Sequence, residues 1–105
     1  MQRTKVLASS RAGGSSLAPV HPGKTLAAEL AARSLTAHAL ALKLRVPANR
    51  ISEIIASKRG ISAETALRFH RYFGTGAPFW ANLQSNYDLA LAEDQLGNRI
   101  YTEVE

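Results

Sequence analysis

Apolar and polar positions along this chain fall into short blocks, most of which repeat with the 3.6-residue period of an α-helix. Leu26 and Leu30 stand one turn apart within residues 24–33, where several alanines favour helix. Leu40, Ala41 and Leu44 repeat at helical spacing, with Thr36 placed before them as an N-cap. Val46 lies in the gap that follows, and Pro47 opens a helix over about residues 47–57. Ile51, Ile54 and Ile55 give that helix its apolar stripe, and Asn49, Arg50, Ser52 and Glu53 its polar side. Ser62 caps a fourth helix with Glu64 in its first turn, and Ala66, Leu67, Phe69, His70 and Phe73 line it until Gly74 ends it. After Thr75-Gly76-Ala77-Pro78, the residues Phe79, Trp80, Leu83, Tyr87 and Leu91 line a fifth helix to about residue 92. Phe79 and Leu83 are expected in the core, whereas Trp80, Tyr87 and Leu91 are expected at a second subunit, because aromatic residues are enriched at interfaces. Gly97-Asn98 reads as a turn, and residues 99–104 alternate well enough for a short strand that would need a partner.

Residues 36–57 are the stretch around which the other helices are organised. Two short amphipathic helices with a tight turn between them, the first bracing the second against a core, make a helix-turn-helix. Ala41 is the small residue where the two helices cross most closely. The turn often holds a glycine, because a left-handed backbone suits it there. Here it holds Arg45, and keeping that conformation costs roughly 1 kcal/mol. An ordinary helical pair inside a bundle shares this periodicity, so charge has to decide.

The chain has 105 residues and a formal net charge of +5. Residues 1–23 carry Arg3, Lys5 and Arg11 and no acidic residue. Residues 24–71 carry nine basic and three acidic residues, and residues 72–105 one basic and five acidic. The basic block coincides with the helix-turn-helix, an arrangement that a phosphate backbone rewards through counterion release.

The expected organisation is all-α, with a flexible basic arm over residues 1–20, a five-helix domain over 21–92 and an acidic extension over 93–105. Gly13, Gly14, Ser15 and Ser16 mark the arm as a linker. There is no cysteine, hence no disulfide and no thiolate ligand or nucleophile, which fits a reducing cytoplasm. No apolar run is long enough to span a bilayer, and no apolar region follows Arg3 and Lys5 as a signal peptide requires. His21, His38 and His70 are too scattered for a metal-ligand set, and no catalytic constellation or phosphate-cradling glycine loop is visible. Neither a cofactor nor a catalytic residue is expected.

An ordered set of motifs carries a resemblance. His21-Pro22-Gly23, Asn49-Arg50-Ile51-Ser52-Glu53-Ile54 and Lys58-Arg59-Gly60-Ile61 come first. Thr65-Ala66-Leu67-Arg68, Arg71-Tyr72-Phe73-Gly74-Thr75 and Phe79-Trp80-Ala81-Asn82-Leu83-Gln84 follow. Over residues 21 to about 92 the chain resembles the HigA-type antitoxins of the Xre or lambda-repressor-like helix-turn-helix superfamily. It departs from their pattern at Lys24, Ala37, Arg45 and Pro78; Ala37 stands where many members have a glutamine that touches phosphate. The resemblance implies a lambda-repressor-like domain that dimerises, represses its own operon and binds HigB, a small mRNA-cleaving toxin. A stand-alone Xre-type repressor is the alternative.

A two-fold dimer would place two reading helices about 34–36 Å apart on a palindromic operator of double-stranded DNA, with the protein at the nucleoid when bound. Asn49 and Ser52 are the expected contacts to base edges, with Ala48 free to meet a thymine methyl. Glu53 either accepts from a cytosine amino group or pairs with a neighbouring arginine. Thr36, Arg45, Arg50, Lys58 and Arg59 are expected to hold phosphates.

Overall fold

The computed structural model describes residues 19–105, and among them it contains five α-helices and no strand. They are α1 (Pro22–Ala32), α2 (Ala37–Leu44), α3 (Ala48–Ile55), α4 (Ala63–Phe73) and α5 (Ala77–Glu103). The basic arm expected over residues 1–20 lies, up to residue 18, outside the described residues. Contacts divide the chain into two units, one of them His21–Asn86 and the other containing Tyr87–Glu105.

Side-chain oxygens and one imidazole start α1, α2 and α4. Thr36 Oγ1 accepts from the Ala39 N–H at 3.0 Å, and Ser62 Oγ accepts from the Thr65 N–H at 3.2 Å. His21 Nδ1 accepts from the Gly23 N–H at 2.9 Å, so His21-Pro22-Gly23 opens α1, which starts at Pro22 instead of the expected residue 24. Gly23 is required for a second reason: a Cβ there would collide with the carbonyl oxygen of Ile54, at the end of α3.

Three turns share one device. Ser34, Arg45 and Ser57 all have left-handed backbones, with φ of 53°, 60° and 62°. Beyond each, a backbone N–H reaches five residues back: Leu35 to the Leu30 carbonyl, Val46 to Ala41 and Lys58 to Glu53. That is the Schellman arrangement, usually built on glycine. The turn between α2 and α3 therefore has the expected backbone with an arginine in it.

Leu26, Leu40, Ile51, Ile54, Phe69 and Trp80 are fully buried, and Leu30, Ala41, Leu44, Ile61 and Ala66 nearly so. Burying each large side chain stabilises by about 1.5–3 kcal/mol. Trp80, expected at a second subunit for its aromatic character, is instead buried in its own chain. Its ring lies 4.8 Å from that of Phe69 and 5.8 Å from that of Phe73, and its Nε1–H donates to Thr75 Oγ1 at 2.8 Å. The indole is satisfied inside its own core. Phe79 makes the opposite correction: it is 45% exposed and meets Trp80 edge-on, so it flanks the core. Leu83 is half-buried against the core.

In the second unit, the strand expected over residues 99–104 is helix as far as Glu103. α5 runs through Gly97-Asn98 to Glu103 without a turn. Arg99 and Glu103 pair one helical turn apart at 3.1 Å, and the Thr102 hydroxyl donates to the Asn98 carbonyl at 2.9 Å. A lone strand would leave its backbone groups without a ladder, whereas a helix satisfies them internally.

Candidate nucleic-acid interface

The geometry of α3 decides which side chains look outward. Ile51 and Ile54 anchor one side in the core, so Ala48, Asn49 and Ser52 are exposed on the other and Glu53 is half-exposed beside them. Pro47 precedes the helix and makes no side-chain cap, and the Arg50 N–H closes the first turn on the Pro47 carbonyl at 3.0 Å. The Ser52 hydroxyl donates to the Asn49 carbonyl at 3.2 Å, so its lone pairs remain available outward.

Glu53 is the hub of this face. Its Oε2 accepts from Asn49 Nδ2 at 3.3 Å, and its Oε1 receives Arg59 Nε at 2.9 Å and Nη2 at 2.8 Å. Of its two expected roles, the structure shows the arginine pair. Asn49 and Arg59 are thus linked to one another through a single carboxylate. Lys58 is exposed next to Arg59 in the loop that leaves α3.

Arg50 points elsewhere. Its Nη1 lies 3.5 Å from Glu64 Oε1, and only 22% of its side chain is exposed. Glu64 Oε2 also accepts from Arg68 Nε at 2.9 Å, and Arg68 Nη1 donates to the Leu44 carbonyl at 2.8 Å. This chain of charges joins α3 to α4 and closes the last turn of α2. The Arg68 hydrogen bond, and then the nearby Arg50 charge, hold the Glu64 carboxyl below the ordinary carboxylate range. Sequence counting placed Arg68 in the basic block but could not see these partners.

Arg45 is exposed at the left-handed turn, and Thr36 is exposed at the start of α2 with its hydroxyl occupied by the cap. Lys43, Leu44, Arg45, Arg68, Arg71 and Tyr72 line a shallow cleft beside that turn. Among the described residues no group of three or more His, Asp or Glu side chains is placed to hold a metal ion, and no helix is long and apolar enough to cross a membrane.

Sequence reasoning also missed Gln84, whose Oε1 accepts from the Ile61 N–H at 2.7 Å. The two residues are far apart in the chain, so no local periodicity could pair them.

No protein-family model matches the chain. Virulence-associated protein I of Dichelobacter nodosus is 49% identical over 83 residues, which make up 78% of this chain and 77% of that protein. The structure of an addiction module antidote protein of a HigA family from Coxiella burnetii is 42% identical, covers 85% of this chain and 98% of its own, and superposes with a TM-score of 0.82. The Pseudomonas aeruginosa antitoxin HigA, solved with the higBA promoter, is 45% identical over 83% of this chain and 96% of its own, with a TM-score of 0.81. With the five-helix frame, the outward face of α3 and these relatives in agreement, the chain belongs to the HigA family of helix-turn-helix antitoxins.

Proposed function

We propose that the protein binds a palindromic operator as a two-fold dimer, represses the operon that encodes it and neutralises a HigB-type mRNA-cleaving toxin. The observation that carries the DNA reading is the exposed polar side of α3, whose opposite side is locked into the core by Ile51 and Ile54. That a related HigA has been solved with its promoter supports the same use here.

In this reading α3 enters the major groove. Asn49 and Ser52 meet base edges, Ala48 meets a thymine methyl, and Glu53 sets the position of Asn49 and Arg59. Lys58, Arg59, Arg45 and the start of α2 at Thr36 hold phosphates, with Arg50 adding charge from the rim. The work is binding rather than catalysis and takes place at the nucleoid.

The dimer is assigned to α5. Tyr87 and Leu91 are half-buried on it. Leu89, Leu96 and Ile100 are 67%, 40% and 47% exposed, and they fall within about 40° of one another around the helix. This stripe lies on the side of α5 opposite Tyr87 and Leu91, and an apolar stripe of this kind is what a second copy would cover.

Footprinting on the protein's own upstream DNA, with and without the product of the neighbouring gene, tests the proposal. Protection of two half-sites about 34–36 Å apart, altered by that product, is the expected result. Protection indifferent to the neighbour leaves a stand-alone repressor. No protection at moderate salt overturns the DNA reading.

A further inference from the structure

The loop that carries Lys58 and Arg59 is held at both ends. At its start, Ser57 adopts φ 62° and the Lys58 N–H donates to the Glu53 carbonyl at 2.8 Å, which fixes the exit direction from α3. At its end, the Ile61 N–H donates to Gln84 Oε1 at 2.7 Å. Gln84 lies on α5, and its carboxamide lies so close to Gly60 that a Cβ there would stand 3.0 Å from three of its atoms. Ile61 itself is buried. Between these two clamps only Lys58, Arg59 and Gly60 remain, and all three are exposed.

We propose that Gln84 is a positioning residue for DNA binding: from α5 it sets the height and direction of the loop so that Lys58 and Arg59 meet the backbone together. The inference rests on the reading above, in which those two side chains hold phosphates. Gln84 does not touch DNA. A lysine or arginine on an untethered loop still carries its charge, but it must be ordered at the moment of binding, and that ordering costs affinity. The Gln84 hydrogen bond does the ordering in advance. It also protects a part-buried N–H that would otherwise lose its partner. Gly60 belongs to the same device, since it leaves the space that the carboxamide fills.

Three variants of the full chain separate this role from simple stability. Gln84→Met keeps the length and volume but cannot accept the hydrogen bond. Gln84→Glu keeps an accepting oxygen. Gly60→Ala crowds the carboxamide from the other side. Operator affinity is measured over a salt series, together with hydrogen exchange at the Ile61 amide. A lower folded fraction reduces affinity without changing the salt slope, whereas lost phosphate contacts make the slope shallower.

Gln84→Met and Gly60→Ala are expected to weaken operator binding about tenfold, to lower the slope by roughly one to two, and to speed exchange at Ile61. Gln84→Glu is expected to keep the slow exchange at Ile61, while its added charge lowers affinity by itself. A wild-type slope in both Gln84→Met and Gly60→Ala, with faster exchange at Ile61, overturns the inference. The reading beneath it is tested separately by Lys58→Ala and Arg59→Ala. If those leave the slope unchanged, the loop does not hold phosphates; if they lower it while Gln84→Met does not, only the positioning role fails.

Discussion

Arg59 clasps Glu53 through two nitrogens, at 2.8 and 2.9 Å from the same carboxylate oxygen. The loop cation is therefore tied to the outward side of α3 by an ion pair, in addition to the Gln84 tether at the end of the loop. A carboxylate on a phosphate-binding surface also repels the backbone, so it is a restraint and a filter together. Glu53→Gln is expected to raise affinity for unrelated DNA several-fold while lowering the ratio of operator to unrelated binding. Competition with scrambled duplex measures both, and an unchanged ratio would remove the filter role.

The proposed function gives Asn49 on α3 a reading role and Lys58 in the loop after it a gripping role. Asn49→Ala should cost about 1–3 kcal/mol on the operator and relax preference at one base position, because a base-edge contact is lost. Lys58→Ala should weaken every sequence alike and reduce the salt slope by about one. Selection from a randomised half-site distinguishes them: a preference unchanged in Asn49→Ala would take that residue off the reading surface.

Arg45 keeps its charge at a strained position, with φ 60° and ψ 45°. Arg45→Gly should therefore stabilise the fold by roughly 1 kcal/mol in denaturant titrations, since glycine enters the left-handed region without a Cβ penalty. If Arg45 also holds phosphate, the same variant should bind the operator more weakly. Greater stability with unchanged affinity would reduce Arg45 to a turn residue.

Glu64 brings pH into the link between α3 and α4. Its carboxyl is held below the ordinary glutamate range, first by the Arg68 hydrogen bond and then by the Arg50 charge. A depressed folded value means that the contribution is present above pH 4.5 and is lost as pH falls through the lower folded value. Glu64→Gln should thus be less stable than the parent near neutral pH, and the difference should vanish on acidification. Both charges are partly solvated, so added salt should shrink it too. A gap that persists at low pH would assign the loss to something other than the ionised carboxylate.

The helical frame was legible because it is local. Leu26, Leu30, Leu40, Leu44, Ile51, Ile54 and Phe69 announce their burial by spacing alone, and Thr36 and Ser62 announce helix starts by residue type. Spacing could not say which apolar side chains face the chain's own core. Trp80 turned inward because Thr75 and Phe69 complete its surroundings, and Phe79 stayed partly outside. Residues 99–104 carried an alternating pattern and an Arg99–Glu103 pair at helical spacing, and without a partner strand the helical choice prevails. On the reading surface, Asn49, Ser52 and Glu53 were visible as a polar stripe. An arginine partner for Glu53 was expected, and folding selects Arg59; the partners of Arg50 and Gln84 were not visible, because Glu64 and Ile61 reach them only once the chain has folded.

The reading helix is 8 residues long and has no side-chain cap. Isolated helices shorter than about 12–15 residues are marginal in water. Gly23, packed against the Ile54 carbonyl, and the buried isoleucines supply what the helix lacks by itself. A partly unfolded chain should therefore lose the outward face of α3 together with the core that supports it. Under the proposed function, occupancy of DNA should follow the folded population, and a protease that captures the opened chain should end repression in a single step.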